Sequence, residues 1–330
     1  MDSLVDQHGR VATDLRVSLT DRCNLRCDYC MPAEGLEWMA SDITLSDDEV
    51  VRLVGIGVER LGVRQVRFTG GEPLLRRGLV GIVARLSALE PRPRIAMTTN
   101  ALGLSRSASA LAAAGLDRIN ISLDSVRPDT FATVTRRDRL ADVIAGLEAA
   151  RAAGLEPVKV NAVLLRGLND VEAPELLRWC IDHGYRLRII EQMPLDAQHG
   201  WDRSAMVTAE ETLDRLSEDF DLTPAVEPRG SAPAELFLVD GGPATVGIIA
   251  SVTRPFCGDC DRVRLTADGQ VRNCLFAREE SDLRTALRAG ADDLEIARRW
   301  RAAIWAKRPG HGIDDARFLQ PARPMSSIGG

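Results

Sequence analysis

Cys23, Cys27 and Cys30 lie in the run Thr20-Asp21-Arg22-Cys23-Asn24-Leu25-Arg26-Cys27-Asp28-Tyr29-Cys30-Met31-Pro32, with the spacing Cys-x3-Cys-x2-Cys and no fourth cysteine nearby. A structural zinc ion takes four protein ligands in a tetrahedron. A four-iron cluster takes one thiolate on each iron. Three thiolates on such a cluster leave one iron with an open position, so this loop reads as reactive rather than structural. Zinc and buried free thiols are the alternatives. The strand-like Leu15–Thr20 before the loop and the aromatic Tyr29 before its third cysteine favour the cluster.

A second set, Cys257, Cys260 and Cys274, has the spacing Cys-x2-Cys-x13-Cys. The residues between Cys260 and Cys274 read as a hairpin turning at Ala267-Asp268-Gly269. That turn brings Cys274 back towards the other two. Alone, the set fits zinc with a distant fourth ligand; beside the first loop, it fits a second iron–sulfur cluster better. The seventh cysteine, Cys180, stands in a helical apolar stretch and reads as an inert buried thiol. The four histidines show no metal-ligand spacing. Clustered cysteines suit metal binding in a reducing, cytoplasmic setting more than a disulfide framework.

Basic residues recur on strand-like segments: Arg16, Arg67, Lys159 and Arg188 each sit between apolar neighbours, and Arg262 and Arg264 share one face of the later hairpin. When helices cover the outside of a sheet, a charged strand residue is left with the interior or the mouth. Cations gathered there imply an anionic ligand, and the arginine fork favours phosphate. Any one of them can instead be part of an ion pair; Asp124 and Glu191 are the main acidic candidates on strands. Thr69-Gly70-Gly71-Glu72-Pro73 allows close backbone approach to a ligand amine. Thr98-Thr99-Asn100 and Asn120–Asp124 offer small polar groups to a ribose.

These residues need a frame, and the first two-thirds of the chain supplies one. Strand-like segments at Leu15–Thr20, Arg64–Thr69, Arg94–Thr99, Arg118–Leu123, Pro157–Leu165 and Arg186–Gln192 alternate with helical patterns. Ser46 with Glu49 predicts a capped helix running to Leu61 and stopping at Gly62. Further helices are predicted at Ala110–Ala114, Asp142–Ala153 and Ala173–Asp182. Successive βα units predict an α/β fold, a partial (β/α)6 TIM-like barrel, with its reactive loops at the carboxyl ends of strands. The pattern breaks near residue 220, so residues 1–222 read as the barrel. Residues 223–330 read as a small α+β extension carrying the second cysteine set, with strands at Glu235–Val239 and Ala244–Ile249 and helices at Ser281–Ala289 and Asp292–Ala306. The tail Pro321–Gly330 reads as extended or mobile.

The chain has 330 residues and a net charge of −6, which argues against nonspecific nucleic-acid binding. No apolar run reaches the roughly 18 residues of a membrane span, and the first residues lack the pattern of a signal peptide.

The first cysteine loop resembles that of the radical S-adenosylmethionine (SAM) enzymes, in which the open iron binds the amino and carboxylate groups of SAM. Together with the second set, Arg262-x-Arg264 and the terminal Ile328-Gly329-Gly330, the chain resembles the GTP 3′,8-cyclase family of molybdenum cofactor biosynthesis over nearly its whole length. The resemblance implies two [4Fe-4S] clusters, on Cys23, Cys27 and Cys30 and on Cys257, Cys260 and Cys274. It implies SAM contacts at Tyr29, Gly71, Ser122 and Met193, and GTP contacts at Arg16, Arg67, Thr98, Lys159, Arg262 and Arg264. Arg188 matches a further basic position of the active site, and Gly329 and Gly330 match a tail that enters it. The implied chemistry is hydrogen abstraction at ribose C3′ and bonding of C3′ to guanine C8. No side chain acts as the radical source. An electron donor, hand-over of product to cyclic pyranopterin monophosphate synthase, and a monomer or homodimer are also implied. A peptide-modifying enzyme with an auxiliary cluster and a zinc-stabilised binding protein are the alternatives. Gln65, where some members carry lysine, and Asp261, where asparagine is usual, depart from the family pattern.

Overall fold

Six strands form the middle of the molecule. β1 (Asp14–Ser18), β2 (Gln65–Thr69), β3 (Arg94–Thr99), β4 (Arg118–Ser122), β5 (Lys159–Val163) and β6 (Arg186–Ile190) lie side by side and parallel in the computed structural model, which describes residues 3–329. All six match the strands predicted from the sequence to within a few residues. Side chains alternate across each strand. Leu15, Val17, Val66 and Phe68 are fully buried in the apolar layer, while the intervening Arg16 and Arg67 line an interior cavity.

That apolar layer is completed by α1 (Asp47–Leu61), α2 (Leu79–Ser87), α3 (Ala108–Ala114), α4 (Pro128–Thr135), α5 (Leu140–Ala152) and α6 (Ala173–Asp182). α1 opens with the expected reciprocal cap: Glu49 N–H donates to Ser46 Oγ at 3.1 Å and Ser46 N–H donates to Glu49 Oε2 at 2.8 Å. Gly62 closes it at φ 76°, in the left-handed region. α2 and α4 have no counterpart among the helices predicted from the sequence.

After α7 (Ala209–Ser217), the chain returns to the same sheet. β9 (Thr245–Ile249) pairs in parallel with β6, and β7 (Leu222–Pro224) and β8 (Glu235–Val239) extend that edge in antiparallel fashion. β10 (Arg262–Leu265) pairs in parallel with β1, followed outward by antiparallel β11 (Gln270–Arg272) and β12 (Ser281–Asp282). Strands on both sides of residue 222 therefore share one sheet of 12 strands. Eight of them, in the order β10-β1-β2-β3-β4-β5-β6-β9, run parallel. The fold is a partial barrel whose two edges are finished by antiparallel strands.

Two expectations are corrected. Ser281–Ala289, expected as one helix, splits into β12 and α8 (Arg284–Arg288), because Ser281 and Asp282 pair with Val271 and Gln270. The tail is not loose: after α9 (Asp293–Trp305) it forms α10 (Met325–Ile328), with Ile328 buried against Leu195 and Phe276. Gly330 lies outside the described residues. Among the described residues, no helix is long and apolar enough to cross a membrane.

α9 packs on α1 through Trp300, which is fully buried beside Gly57. Trp300→Ala leaves a large cavity between the two ends of the chain. It is expected to cost about 3–5 kcal/mol, seen as a lower urea midpoint for unfolding.

Candidate active site

The first cysteine loop follows β1 and is zipped to the loop after β2. Gly71 N–H donates to Thr20 O at 2.8 Å, and Glu72 N–H donates to Arg22 O at 2.8 Å. A Cβ on Gly71 would come within 2.3 Å of Arg22 O and 2.5 Å of Asp21 O, so only glycine fits there. Glu72 is fully buried and accepts from Leu74 N–H, Thr99 Oγ1 and the Asn100 N–H. Burial pushes its carboxyl up to about 7 against the pull of these hydrogen bonds. Asn100 Nδ2 donates to Asn24 Oδ1 at 2.7 Å and faces Cys23 Sγ at 3.8 Å. Arg26 holds the loop from below by donating to Cys23 O and Leu25 O.

A cavity of about 150 Å³ opens on this loop, lined by Cys23, Cys27, Cys30, Gly70, Gly71, Ser122 and Tyr29 among others. Three of the four expected SAM contacts thus meet the cysteines; Met193 lies instead in a larger neighbouring cavity, packed near Cys274 and Met325. Tyr29 donates to Asp124 Oδ2 at 2.9 Å, and Asp124 also accepts from Val163 N–H at 2.8 Å. Burial pushes the Asp124 carboxyl up to about 6. It also pushes the Cys27 thiol well up and the Cys30 thiol up to about 12. Such thiols ionise when a bound metal centre supplies the positive charge. The donor set fits a three-thiolate cluster.

The second cysteine set lies at the other end of the neighbouring strand. Cys257 and Cys260 precede β10, and the turn into β11 returns Cys274 to the same end. Because β10 and β1 run parallel, this set and the loop after β1 occupy opposite ends of the pair. Among the described residues no three His, Cys, Asp or Glu side chains gather round a single ion. A cuboidal cluster puts its thiolates on different irons, further apart than the ligands of a lone zinc. Burial raises the Cys257 and Cys274 thiols. It also works to raise Cys260, but the Lys307 ammonium and Arg262 outweigh it and bring that thiol down. Asp261, one of the two departures, accepts from Ser231 Oγ at 3.0 Å and Thr13 Oγ1 at 3.3 Å.

Between the two sets lies a cavity of about 890 Å³. Arg16, Arg67, Lys159, Arg188, Arg262 and Arg264 all line it, together with Thr98, Asn120, Asn161, Arg118 and Arg229. Register explains the convergence. Arg264, Arg16 and Arg67 are aligned across β10, β1 and β2. Thr98, Asn120 and Lys159 are aligned across β3, β4 and β5; Ser122, Asn161 and Arg188 are aligned across β4, β5 and β6. Gly247, next in that last row, leaves room for Arg188: a Cβ there would sit 3.2 Å from Arg188 Cγ.

The strand carboxylates offset this group only in part. Asp124 is engaged by Tyr29 and Val163, and Glu191 accepts from the backbone N–H groups of Ala209, Val252 and Thr253. Asp14 stands 3.9 Å from Arg16. The buried Nε atoms of Arg16, Arg67 and Arg262 have no protein partner among the described residues. Burial, then the neighbouring Arg188 and Arg118, pulls the Lys159 ammonium down to about 7. Burial pulls Arg16 down to about 9, and Arg67 and Arg188 to about 10. Arg264 is held well below the ordinary guanidinium range, again chiefly by burial, and donates to Gly329 O. Gln65, the other departure, accepts from Arg118 at 2.6 Å, so it orients a cation instead of adding one.

Arg118 was legible by the rule that found the others: a charged residue on a strand. Arg229 sits in the turn-rich connection and Lys307 follows α9; neither belongs to a repeating pattern.

Residues 17–180 match the Radical SAM superfamily model, and residues 185–313 match Molybdenum Cofactor Synthesis C. A Streptomyces coelicolor protein named GTP 3′,8-cyclase is 67% identical over 328 residues, covering 99% of this chain and 96% of that one. The chain belongs to the GTP 3′,8-cyclase family. Relatives of the same name from Mycolicibacterium smegmatis and Corynebacterium glutamicum are 64% and 59% identical, each over 99% of this chain and 92% and 89% of theirs. Among solved structures, Streptococcus suis SuiB bound to S-adenosylmethionine shares the fold at a TM-score of 0.64 and 14% identity, over 94% of this chain and 69% of that one. Within the GTP 3′,8-cyclase family this chain carries both three-cysteine sets and the cation-lined cavity between them.

Gly71→Ala forces the Cys23–Cys30 loop away from the loop after β2. It is expected to lower the iron taken up on anaerobic reconstitution with iron and sulfide, measured per chain beside the unsubstituted protein.

Proposed function

We propose that this protein converts GTP to (8S)-3′,8-cyclo-7,8-dihydroguanosine 5′-triphosphate, the first step of molybdenum cofactor biosynthesis. The observation that carries this reading is the cavity between the cysteine sets, lined by more buried guanidinium groups than the neighbouring Asp14 can match. A triphosphate supplies what they lack. Cys23, Cys27 and Cys30 would hold one [4Fe-4S] cluster, and Cys257, Cys260 and Cys274 the other. With SAM on the first of these, one electron from an external donor would supply the radical chemistry that removes the C3′ hydrogen; C3′ would then bond to guanine C8, and a second electron with a proton would complete the 7,8-dihydro product.

The chain's own residues bind, orient and shield. Gly70 and Gly71 present backbone beside the cysteine loop, with Tyr29 and Ser122 across the same small cavity. Arg16, Arg67, Arg262 and Arg264 form the guanidinium side of the larger cavity, with Lys159 and Arg188 facing them from β5 and β6. Thr98, Asn120 and Asn161 give neutral hydrogen-bonding groups for ribose and base. Orientation is the main gain, since C3′ must face both the abstracting carbon and C8. Gly329, held by Arg264, brings the tail against the site, and Met325 borders both cavities; this wall keeps water and stray hydrogen donors from a radical. The product would pass to cyclic pyranopterin monophosphate synthase, and a cytoplasmic monomer or homodimer fits the reading.

An anaerobic assay with GTP, SAM and reductant tests this. Equal consumption of both and a product isomeric with GTP, in which the hydrogen lost from C3′ is made up by the electron and proton taken up on reduction, support it; SAM cleavage with GTP left intact overturns it. A pH dependence should accompany it. In the empty site, the Lys159 ammonium is complete below about 7 and lost above it. A polyanion binds the charged form more tightly, so kcat/KM for GTP is expected to fall as pH rises past about 7. Lys159→Arg keeps its charge and should flatten that limb, read from the kcat/KM–pH profile.

A further inference from the structure

Lys307 is the cation that the nucleotide reading does not use. It is 3% exposed, and it lies outside the cavity lining. Its ammonium donates to Cys260 O at 3.2 Å, to Arg262 O at 2.9 Å and to Cys260 Sγ at 3.4 Å. Two carbonyls and one sulfur are satisfied, and none of these contacts is to a carboxylate. The first cysteine set differs: the group facing Cys23 Sγ is the neutral Asn100 amide.

The segment that presents Lys307 is fastened at several points. Lys307 N–H donates to Ile304 O at 3.0 Å, at the end of α9. Arg10 donates to Cys257 O, Arg308 O and Pro309 O, tying the cysteine loop and the residues after Lys307 to one guanidinium. Asp6 in turn holds Arg10 Nε at 2.6 Å. The segment is thus fixed with the Lys307 ammonium beside the Cys260 sulfur.

We infer that Lys307 is a positioning residue for the second cysteine set, and that its hydrogen bond to the Cys260 sulfur raises the reduction potential of the iron–sulfur cluster held there. The inference rests on the two-cluster reading above. Reduction adds negative charge to a cluster and its thiolates. A cation donating to one of those sulfurs stabilises the reduced form, and hydrogen bonds to sulfur and local charge are known controls on cluster potential. The second cluster then accepts an electron more readily than it would beside a neutral side chain.

The test uses the full chain with Cys23, Cys27 and Cys30 changed to Ala, so that only the second cluster forms. About four iron per chain and absorbance near 400 nm after anaerobic reconstitution establish that cluster. Their absence sinks the two-cluster reading before Lys307 is touched. The midpoint potential is then followed by EPR during redox titration in this background and with Lys307→Gln, Lys307→Met or Lys307→Arg added. The expected result is unchanged iron content, a more negative potential in the Gln and Met variants, and a potential in the Arg variant closer to that of Lys307. Equal potentials in all four proteins overturn the inference. Loss of iron from the Gln and Met variants also overturns it, since Lys307 would then be needed for assembly and not for potential.

Discussion

The constraint on which this structure turns is the burial of more cations than the surrounding carboxylates can match. Arg16, Arg67, Arg188 and Arg264 are held inside a sheet in which Asp14 faces Arg16 while Asp124 and Glu191 are committed elsewhere. In the empty protein such a group is unfavourable, because each cation has lost water and gained cationic neighbours. The rest of the fold has to enforce the arrangement. The apolar layer of Leu15, Val17, Val66 and Phe68 does so by fixing which way each strand faces, and with it which way each arginine points. A triphosphate removes the repulsion, so the same term that strains the empty site works for binding.

The cysteine loops illustrate a second kind of enforcement. The first is placed by contact so close that glycine is obligatory at position 71, and the buried Glu72 ties that turn to Thr99 and Asn100 after β3. One carboxylate thus links three consecutive strand-end loops around the small cavity. The second loop is placed by charge and carbonyl caps from Arg10 and Lys307. Cationic caps serve both sets, Arg26 on the first, but only the first adds so close a backbone fit.

Much of this was legible in the sequence, because the signals were periodic or tightly spaced. The βα alternation located all six central strands. Ser46 with Glu49 located the start of α1, and the hairpin at Asp268-Gly269 returned Cys274 to Cys257 and Cys260. The strand arginines were found because a charge on a covered strand has few places to go. What escaped depended on long-range pairing. No local pattern says that β10 lies beside β1, or that β9 continues from β6. Nor does composition say that the tail Met325–Ile328 folds onto Leu195 and Phe276, since the apolar groups receiving it lie far away in the chain. Lys307 and Arg10 were invisible for the same reason: most of their partners are distant backbone carbonyls, which every residue has.

The placement of the two cysteine sets at opposite ends of β1 and β10 makes those strands a ruler. A strand advances about 3.3 Å per residue, so a strand of this length separates its ends by about 15 Å. That span is long enough to admit a nucleotide lengthwise. The β1–β10 ladder fixes how far apart the two loops leave the sheet, so the length of a strand, counted in residues, limits what can lie between the two cysteine sets.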